Sequence, residues 1–357
     1  MTSVGENCLV INLSIRVMLN NTMKVLITGG LGYIGSTIAS ALIDDGHIPL
    51  LIDDLSTGSR EFARGRIFYE GDIADELLID RIFREHPDIA LSVHCAALID
   101  VNESIIDPSG YYQVNLAKSL SFVRSLMRNG VEKLVFSSSA AIYHAADGTI
   151  LTESAPISPT SPYGWTKAFS EQMFSDIAAS GALRVISLRY FNPIGADPLM
   201  RTGPRTIGAT HVLGRLIEAR SKGLTFTITG TDYATHDGTG LRDYIHVWDL
   251  ALAHVKAATE FDNVVNSQRP CLAINLGRGE PVSVRELVTI FNQVSPLKVE
   301  IIDGPRRPGD VTGGFASCEL AHQTLAWRTH CSISDAIRDS LKWLEHHEKL
   351  NIGSTSS

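Results

Sequence analysis

The sequence predicts an α/β protein, a doubly wound parallel sheet that carries a second, smaller α/β domain. Three observations predict it. From Met23 onward, short buried-strand patterns alternate with helical ones. A glycine-rich turn closes the first strand. After Asn192-Pro193 the rhythm loosens into Gly- and Pro-rich loops (196–208, 230–240, 303–314) around shorter elements. Strands alternating with helices imply βαβ units, hence parallel strands, right-handed crossovers and helices on both faces.

The elements follow in order. Lys24–Thr28 reads as a short buried strand, followed by the glycine turn and a helix over about Ser36–Asp45. A strand at Ile48–Ile52, a strand-like Arg66–Tyr69, a helix near 75–86 and a strand at Ala90–Cys95 come next. A helix near 110–129 then leads to a strand at Lys133–Ser137. A helix over 163–180, opened by Ser161-Pro162, precedes a strand at Arg184–Tyr190. The domains expected are a dinucleotide-binding domain over 23–195 with a return segment near 241–260, and a substrate domain over 196–349. A tail covers 350–357. Residues 1–22 read as an unstructured extension, or as a stretch upstream of a start at Met23: Asn12, Ser14 and Arg16 interrupt the Leu9–Leu19 run that a targeting signal needs, although the apolar residues at 9, 11, 13, 15, 17 and 19 alternate as in a strand.

Composition narrows the function. The 357 residues carry 31 Lys+Arg against 39 Asp+Glu, a net charge of −8, with 44% hydrophobic and 20% charged residues. That is globular composition, and its acidic balance argues against a nucleic-acid partner, which needs a basic face. No run approaches the ~20 apolar residues of a spanning helix, so no membrane association is expected. The five cysteines are scattered and form no CxxC, which suggests a reducing, cytoplasmic setting without zinc or disulfides. His236, His246 and His346-His347 have no ligand spacing, and no metal is expected.

Gly29, Gly32 and Gly35 stand at GxxGxxG spacing between a strand and a helix. A pyrophosphate must reach the amides at the helix start, where a Cβ would block it, so this is a Rossmann-type fingerprint. Asp53 ends the second strand 18 residues past Gly35, where a carboxylate accepts from a ribose diol and repels a 2′-phosphate, favouring NAD. Asp72 in Gly71-Asp72-Ile73 reads equally as an adenine contact or a turn residue. His94-Cys95-Ala96-Ala97 places small residues where a cofactor would pass, a reading no better than that of a plain strand end.

Tyr163-Gly-Trp-Thr-Lys167 is YxxxK at the start of an amphipathic helix, which puts phenol and ammonium on one face. An ordinary phenol with pKa ~10 is about 0.1% ionised at neutral pH, and lowering it by about three pH units takes roughly 4 kcal/mol. Lys167 and an oxidised nicotinamide can supply that as positive charge. Ser137-Ser138-Ser139 ends the preceding strand, where a hydroxyl can share a proton with the same substrate oxygen.

These residues lie in TGGLGYIGS (28–36), DDLSTGS (53–59), GDI (71–73), FSSSAAIY (136–143), SPYGWTK (161–167), LRYFNPIGADP (188–198), TDYATHDGTGLRDYIHVWDLA (231–251) and RRPGD (306–310). Over about Met23 to Trp343 the chain resembles the extended short-chain dehydrogenase/reductase family, within it the UDP-galactose (UDP-glucose) 4-epimerase branch. The resemblance implies Tyr163 as base, Lys167 as its modulator and ribose ligand, and Ser139 as hydroxyl partner. It places Tyr33, Ile34, Asp54, Asp72, Ile73, Cys95, Ala96, Ala97 and Tyr190 with the glycines and Asp53 around NAD. It puts Asn192, Arg242, Arg307 and Asp310 on the sugar nucleotide, the two arginines as a diphosphate clamp. The implied reaction inverts C4 of a UDP-hexose, glucose/galactose or the N-acetylhexosamine pair, through a 4-keto sugar that swings about its diphosphate. A homodimer through the helices near 110–129 and 163–180 is also implied, although their apolar stripes fit a core equally.

Several positions depart from the family: Ile99 for a lysine, Ala141 for a threonine, Thr210-His211 for an Asn pair, Thr229 for an aromatic, and Gly313 or Gly314 for a bulky gatekeeper. They bear on base and sugar identity and leave the redox trio intact. The alternatives are a non-UDP nucleotide epimerase, a dehydratase or a decarboxylase, and, outside catalysis, an NAD-binding protein without turnover. A dehydratase would carry an acid after the catalytic hydroxyl, where Ala140-Ala141 stands.

Overall fold

The computed structural model describes residues 22–144, 148–204, 211–306 and 311–354. Residues 1–21 of the extension, Thr210, Arg307, Asp310 and the end of the tail lie outside the described residues.

Seven parallel strands form the central sheet: β1 (Lys24–Thr28), β2 (Ile48–Asp53), β3 (Ile67–Glu70), β4 (Ile89–His94), β5 (Lys133–Ser139), β6 (Arg184–Tyr190) and β7 (Cys271–Leu276). They lie in the order β3-β2-β1-β4-β5-β6-β7. The order reverses between β1 and β4, which opens a crevice at the carboxyl ends of the strands. Alternate residues serve opposite faces. Val25, Ile27, Val93, Val135 and Ile186 share one apolar cluster, while Leu26, Leu50, Ile52, Leu134 and Val185 share the other. Helix α1 (Tyr33–Asp44) and helix α5 (Val247–Thr259) cover the first face; α2 (Glu76–Glu85), α3 (Ser119–Arg128) and α4 (Pro162–Ala179) cover the second.

Four features differ from the sequence reading. Helix α1 starts at Tyr33 rather than Ser36, with Gly32 at its N-cap position and no capping side chain. Strand β5 runs on to Ser139, because Ser137–Ser139 pair in register with Leu188–Tyr190. The helix expected near 110–129 runs over 108–128 with a π-helical turn at Gln113–Lys118, and a short helix at Val101–Ile106 precedes it across Asp107-Pro108. Proline cannot donate to the helix ladder, and Asp107 caps the new start at Gly110 N (3.0 Å). After the return helix α5, the apolar run Cys271–Leu276 adds β7 beside β6.

Past Asn192, helices over Val212–Lys222, Val284–Val294 and Ile333–Ser354 bury Leu213, Leu216, Leu287, Phe291, Ile337 and Leu341 together. Short parallel ladders join Asn192–Ile194 to Tyr244–His246 and Phe226–Thr229 to Ile301–Gly304. An antiparallel pair joins Leu241–Arg242 to Val282–Ser283.

Candidate active site

The glycine turn leaves no room for side chains. Gly29 has φ +63°, and a Cβ on it would lie 2.8 Å from Ala96 N. A Cβ on Gly35 would lie 2.2 Å from the Gly29 carbonyl oxygen, so helix α1 packs directly on the turn. Its first amides have no side-chain cap, the condition under which a helix start accepts an anion.

Around this turn each predicted cofactor residue has a definite place. Asp53 is buried and accepts from Leu31 N (2.9 Å) and Leu55 N (2.8 Å), bracing the glycine turn; burial holds its pKa above the usual carboxylate range. Each of its oxygens keeps a lone pair for a diol. Asp54 is exposed and accepts from Ser56 N and Oγ. Asp72 accepts from Ala74 N (2.9 Å) and pairs with Lys118, while Ile73 is buried in the cluster under α2. Tyr33 donates its hydroxyl to the Gly195 carbonyl (2.6 Å), and half-buried Ile34 packs on the core. At the end of β4, Cys95 N donates to Thr28 O (3.1 Å) and Ala96 N to Thr28 Oγ1 (3.2 Å), with Ala97 half-buried beyond them. His94 beneath is fully buried between Thr28 and Ser119, and burial pushes its pKa down to about 3, so it is a neutral strut.

The three residues expected to be catalytic lie close together. Ser161 caps α4 through Gly164 N (3.1 Å) and Pro162 opens its first turn, which fixes where Tyr163 emerges. A Cβ on Gly164 would lie 2.4 Å from the Ala141 carbonyl oxygen. Glycine there lets the helix approach the end of β5, which brings the Tyr163 phenol near the Ser139 hydroxyl. The Ser139 hydroxyl also accepts from Ala141 N (3.1 Å). Lys167 is buried, donates to the Ser137 carbonyl (2.8 Å) and lies 4.8 Å from the centre of the Phe136 ring.

Burial raises the Tyr163 pKa and outweighs the lowering by Ser139. Burial also pushes Lys167 down to about 8, so roughly nine in ten of these ammonium groups remain charged at neutral pH. The protein alone therefore keeps the phenol protonated, and a tyrosinate needs further positive charge in the crevice.

Tyr190, expected beside NAD, is buried opposite Ser139 in the sheet register. Asn192 Nδ2 donates to the Asp243 carbonyl (3.0 Å). Arg242 braces the segment behind it through the carbonyls of Leu241 (2.7 Å) and Thr312 (3.3 Å). The Asp243 carboxylate is turned away from Arg242 and accepts from Arg278 N, Gly279 N and Ala316 N, so the two are not a surface pair. His211 caps the helix at Val212 through Gly214 N (3.1 Å), Ile99 is 68% exposed, and Thr229 ends its strand. Gly313, at φ +105°, has the Leu241 carbonyl 2.0 Å from where a Cβ would stand, while Gly314 is buried.

Three supporting groups escaped the sequence reading. Asn115, in the π-helical turn, clasps Leu98 N (2.8 Å) and Leu98 O (2.9 Å) and reaches Thr166, tying the loop after β4 to α4. Glu171 and Arg189 form a buried bidentate pair joined by Ser138. His254 lies under Ser137. Unusual helix winding and contacts between distant segments have no local sequence signature. No cluster suited to a metal ion occurs among the described residues.

The family model for the NAD dependent epimerase/dehydratase family matches residues 25–277. UDP-glucose 4-epimerase of Azospirillum brasilense is 42% identical over 323 residues, 90% of this chain and 91% of that protein. Among solved structures, UDP-glucose-4-epimerase from Stenotrophomonas maltophila, with bound NAD and formylated UDP-arabinopyranose, superposes with a TM-score of 0.87 at 35% identity, covering 92% of this chain and 99% of that one. The UDP-glucose 4-epimerase from Bifidobacterium longum, in complex with NAD+ and UDP, gives a TM-score of 0.84 at 31% identity, covering 91% and 99%.

Proposed function

The chain belongs to the NAD dependent epimerase/dehydratase family, and on that premise we propose that it is an NAD-dependent epimerase inverting C4 of a UDP-hexose. The observation that carries the reading is the meeting of Ser139, Tyr163 and Lys167 beside a glycine turn with no space for a Cβ. The turn fits a dinucleotide: uncapped α1 amides for the pyrophosphate, Asp53 for a ribose diol and Lys167 for the second ribose. What NAD supplies when bound is reversible two-electron oxidation at the sugar C4.

The chain's residues handle protons and position. Tyr163 takes the 4-OH proton on one face of the sugar and returns it on the other, aided by the Ser139 hydroxyl. Such acid–base assistance is worth roughly 10² to 10⁴ in rate. Lys167 favours the tyrosinate electrostatically. Inversion requires that the flat 4-keto sugar present both faces to one tyrosine, so the diphosphate must be held and the hexose left loose. Arg242 and Arg307 are the proposed clamp, with Asn192 and Asp310 beside them. Against dehydration, Ser139 is followed by Ala140-Ala141, and the nearby Glu171 is committed to Arg189.

A groove of about 760 Å³ between the 108–128 run and α4, lined by Tyr112, Leu116, Leu120, Phe169 and Met173, supports a homodimer formed by packing these helices against a second copy. No helix among the described residues is long and apolar enough to cross a membrane, and the scattered thiols suit a reducing cytoplasm.

Purified protein incubated with UDP-galactose or UDP-N-acetylgalactosamine, without added NAD, tests the reaction by NMR. The expected product is the C4 epimer. Loss of the 6-OH, loss of CO₂, or no reaction with any UDP-sugar overturns the proposal.

A further inference from the structure

Beneath the catalytic trio lies a hydrogen-bond chain whose proton directions are determined. His254, on α5, is fully buried. Its Nδ1 lies 2.9 Å from the Leu250 carbonyl oxygen and its Nε2 3.0 Å from Ser137 Oγ. A carbonyl only accepts, so Nδ1 carries the proton and Nε2 is the acceptor. Burial pushes the imidazole pKa down to about 4, which keeps that single tautomer at neutral pH. Ser137 must then donate to His254, leaving two lone pairs. Cys95 Sγ lies 3.1 Å from the same oxygen, so the serine hydroxyl donates to His254 and can accept from the Cys95 thiol.

The consequence reaches the trio through Ser137, whose carbonyl accepts from Lys167 Nζ (2.8 Å). We propose that His254 is a positioning residue for the proton-transfer site: it fixes the hydroxyl proton of Ser137 and so holds the strand residue that anchors Lys167 beside Tyr163. The proposal rests on the epimerase reading for its kinetic consequence and on geometry for the chain itself.

Two polar variants smaller than histidine separate positioning from space filling. In His254→Gln the side-chain carbonyl falls near the place of Nε2 and can still accept from Ser137. In His254→Asn the amide reaches only the place of Nδ1, and Ser137 loses its acceptor. A buried donor left unpaired is costly, and the expected loss for H254N is about ten-fold in kcat. KM for the nucleotide sugar and the content of bound NAD should stay within about two-fold, and H254Q should retain activity within about three-fold of wild type. Equal activity of H254N and wild type, or equal impairment of both variants, overturns the proposal. A second measurement needs no variant: ¹⁵N NMR of histidine-labelled holoenzyme should find His254 protonated on Nδ1 alone. A proton on Nε2 overturns the chain. Absence of epimerisation by the wild type would instead sink the enzymatic reading, and the tautomer would still judge His254.

Discussion

Replacing Lys167 by methionine tests the electrostatics of the site directly. The ammonium is buried, and its pKa falls from 10.5 in water to about 8 in the fold. At ~1.4 kcal/mol per pH unit, holding it charged at pH 7 costs the native state about 3 kcal/mol. Removing it also leaves the Ser137 carbonyl unpaired, at about 1–3 kcal/mol, so the net effect at pH 7 is small. The pH dependence is the sharper quantity. Below about pH 8 both states of the wild type hold the proton and the penalty is felt in full. Between about 8 and 10.5 the native state has released it while the unfolded chain retains it, so wild-type stability rises with pH; Lys167→Met has no such gain. From pH 7 to pH 9.5 the wild type should therefore gain about 2 kcal/mol on the variant, near 3 °C in Tm for a chain of this length. Thermal unfolding of both cofactor-free proteins at the two pH values measures it, and groups common to both cancel. A stability gap that stays constant would refute a buried, charged Lys167 and with it the proposed activation of Tyr163.

Other expectations follow from single contacts. Gly35→Ala pushes a methyl onto the Gly29 carbonyl, so the purified variant should hold less than about a tenth of wild-type NAD; normal cofactor content would show that the turn yields. Glu171→Gln leaves Arg189 charged and buried, at about 3–5 kcal/mol, and should lower Tm by about 5 °C in calorimetry; an unchanged Tm would mean the pair contributes little. Phe169→Glu places a carboxylate in the groove between the helices and should convert a dimer to monomers by light scattering; an unchanged mass would move the interface elsewhere. Tyr163→Phe should reduce kcat by at least ~10² while bound NAD persists; near-normal turnover would remove Tyr163 from the base position.

Much of the fold was legible because its cues are local. The apolar runs Lys24–Thr28 and Arg184–Tyr190 were bounded correctly, since strands buried on both faces read as continuous hydrophobic stretches closed by turns. The glycine spacing and YxxxK were legible for the same reason: close approach and helical periodicity each constrain neighbours a few residues apart. The ends of elements were less legible. Ser139 belongs to β5 because Tyr190 pairs with it, and that partner is 51 positions away in the chain.

By itself, then, the sequence determined the alternation of strands and helices, the glycine turn between the first strand and helix, and the placement of Tyr163 and Lys167 one turn apart on one helix. Tertiary structure alone decided that Gly164 brings Tyr163 onto Ser139 and that Asp243 turns its carboxylate from Arg242. It also decided that His254 and Asn115 sit under the trio and at its side. Those outcomes depend on burial and on which donors meet which acceptors across the sheet. Neither quantity exists until segments far apart in the chain are packed together and water is excluded from between them.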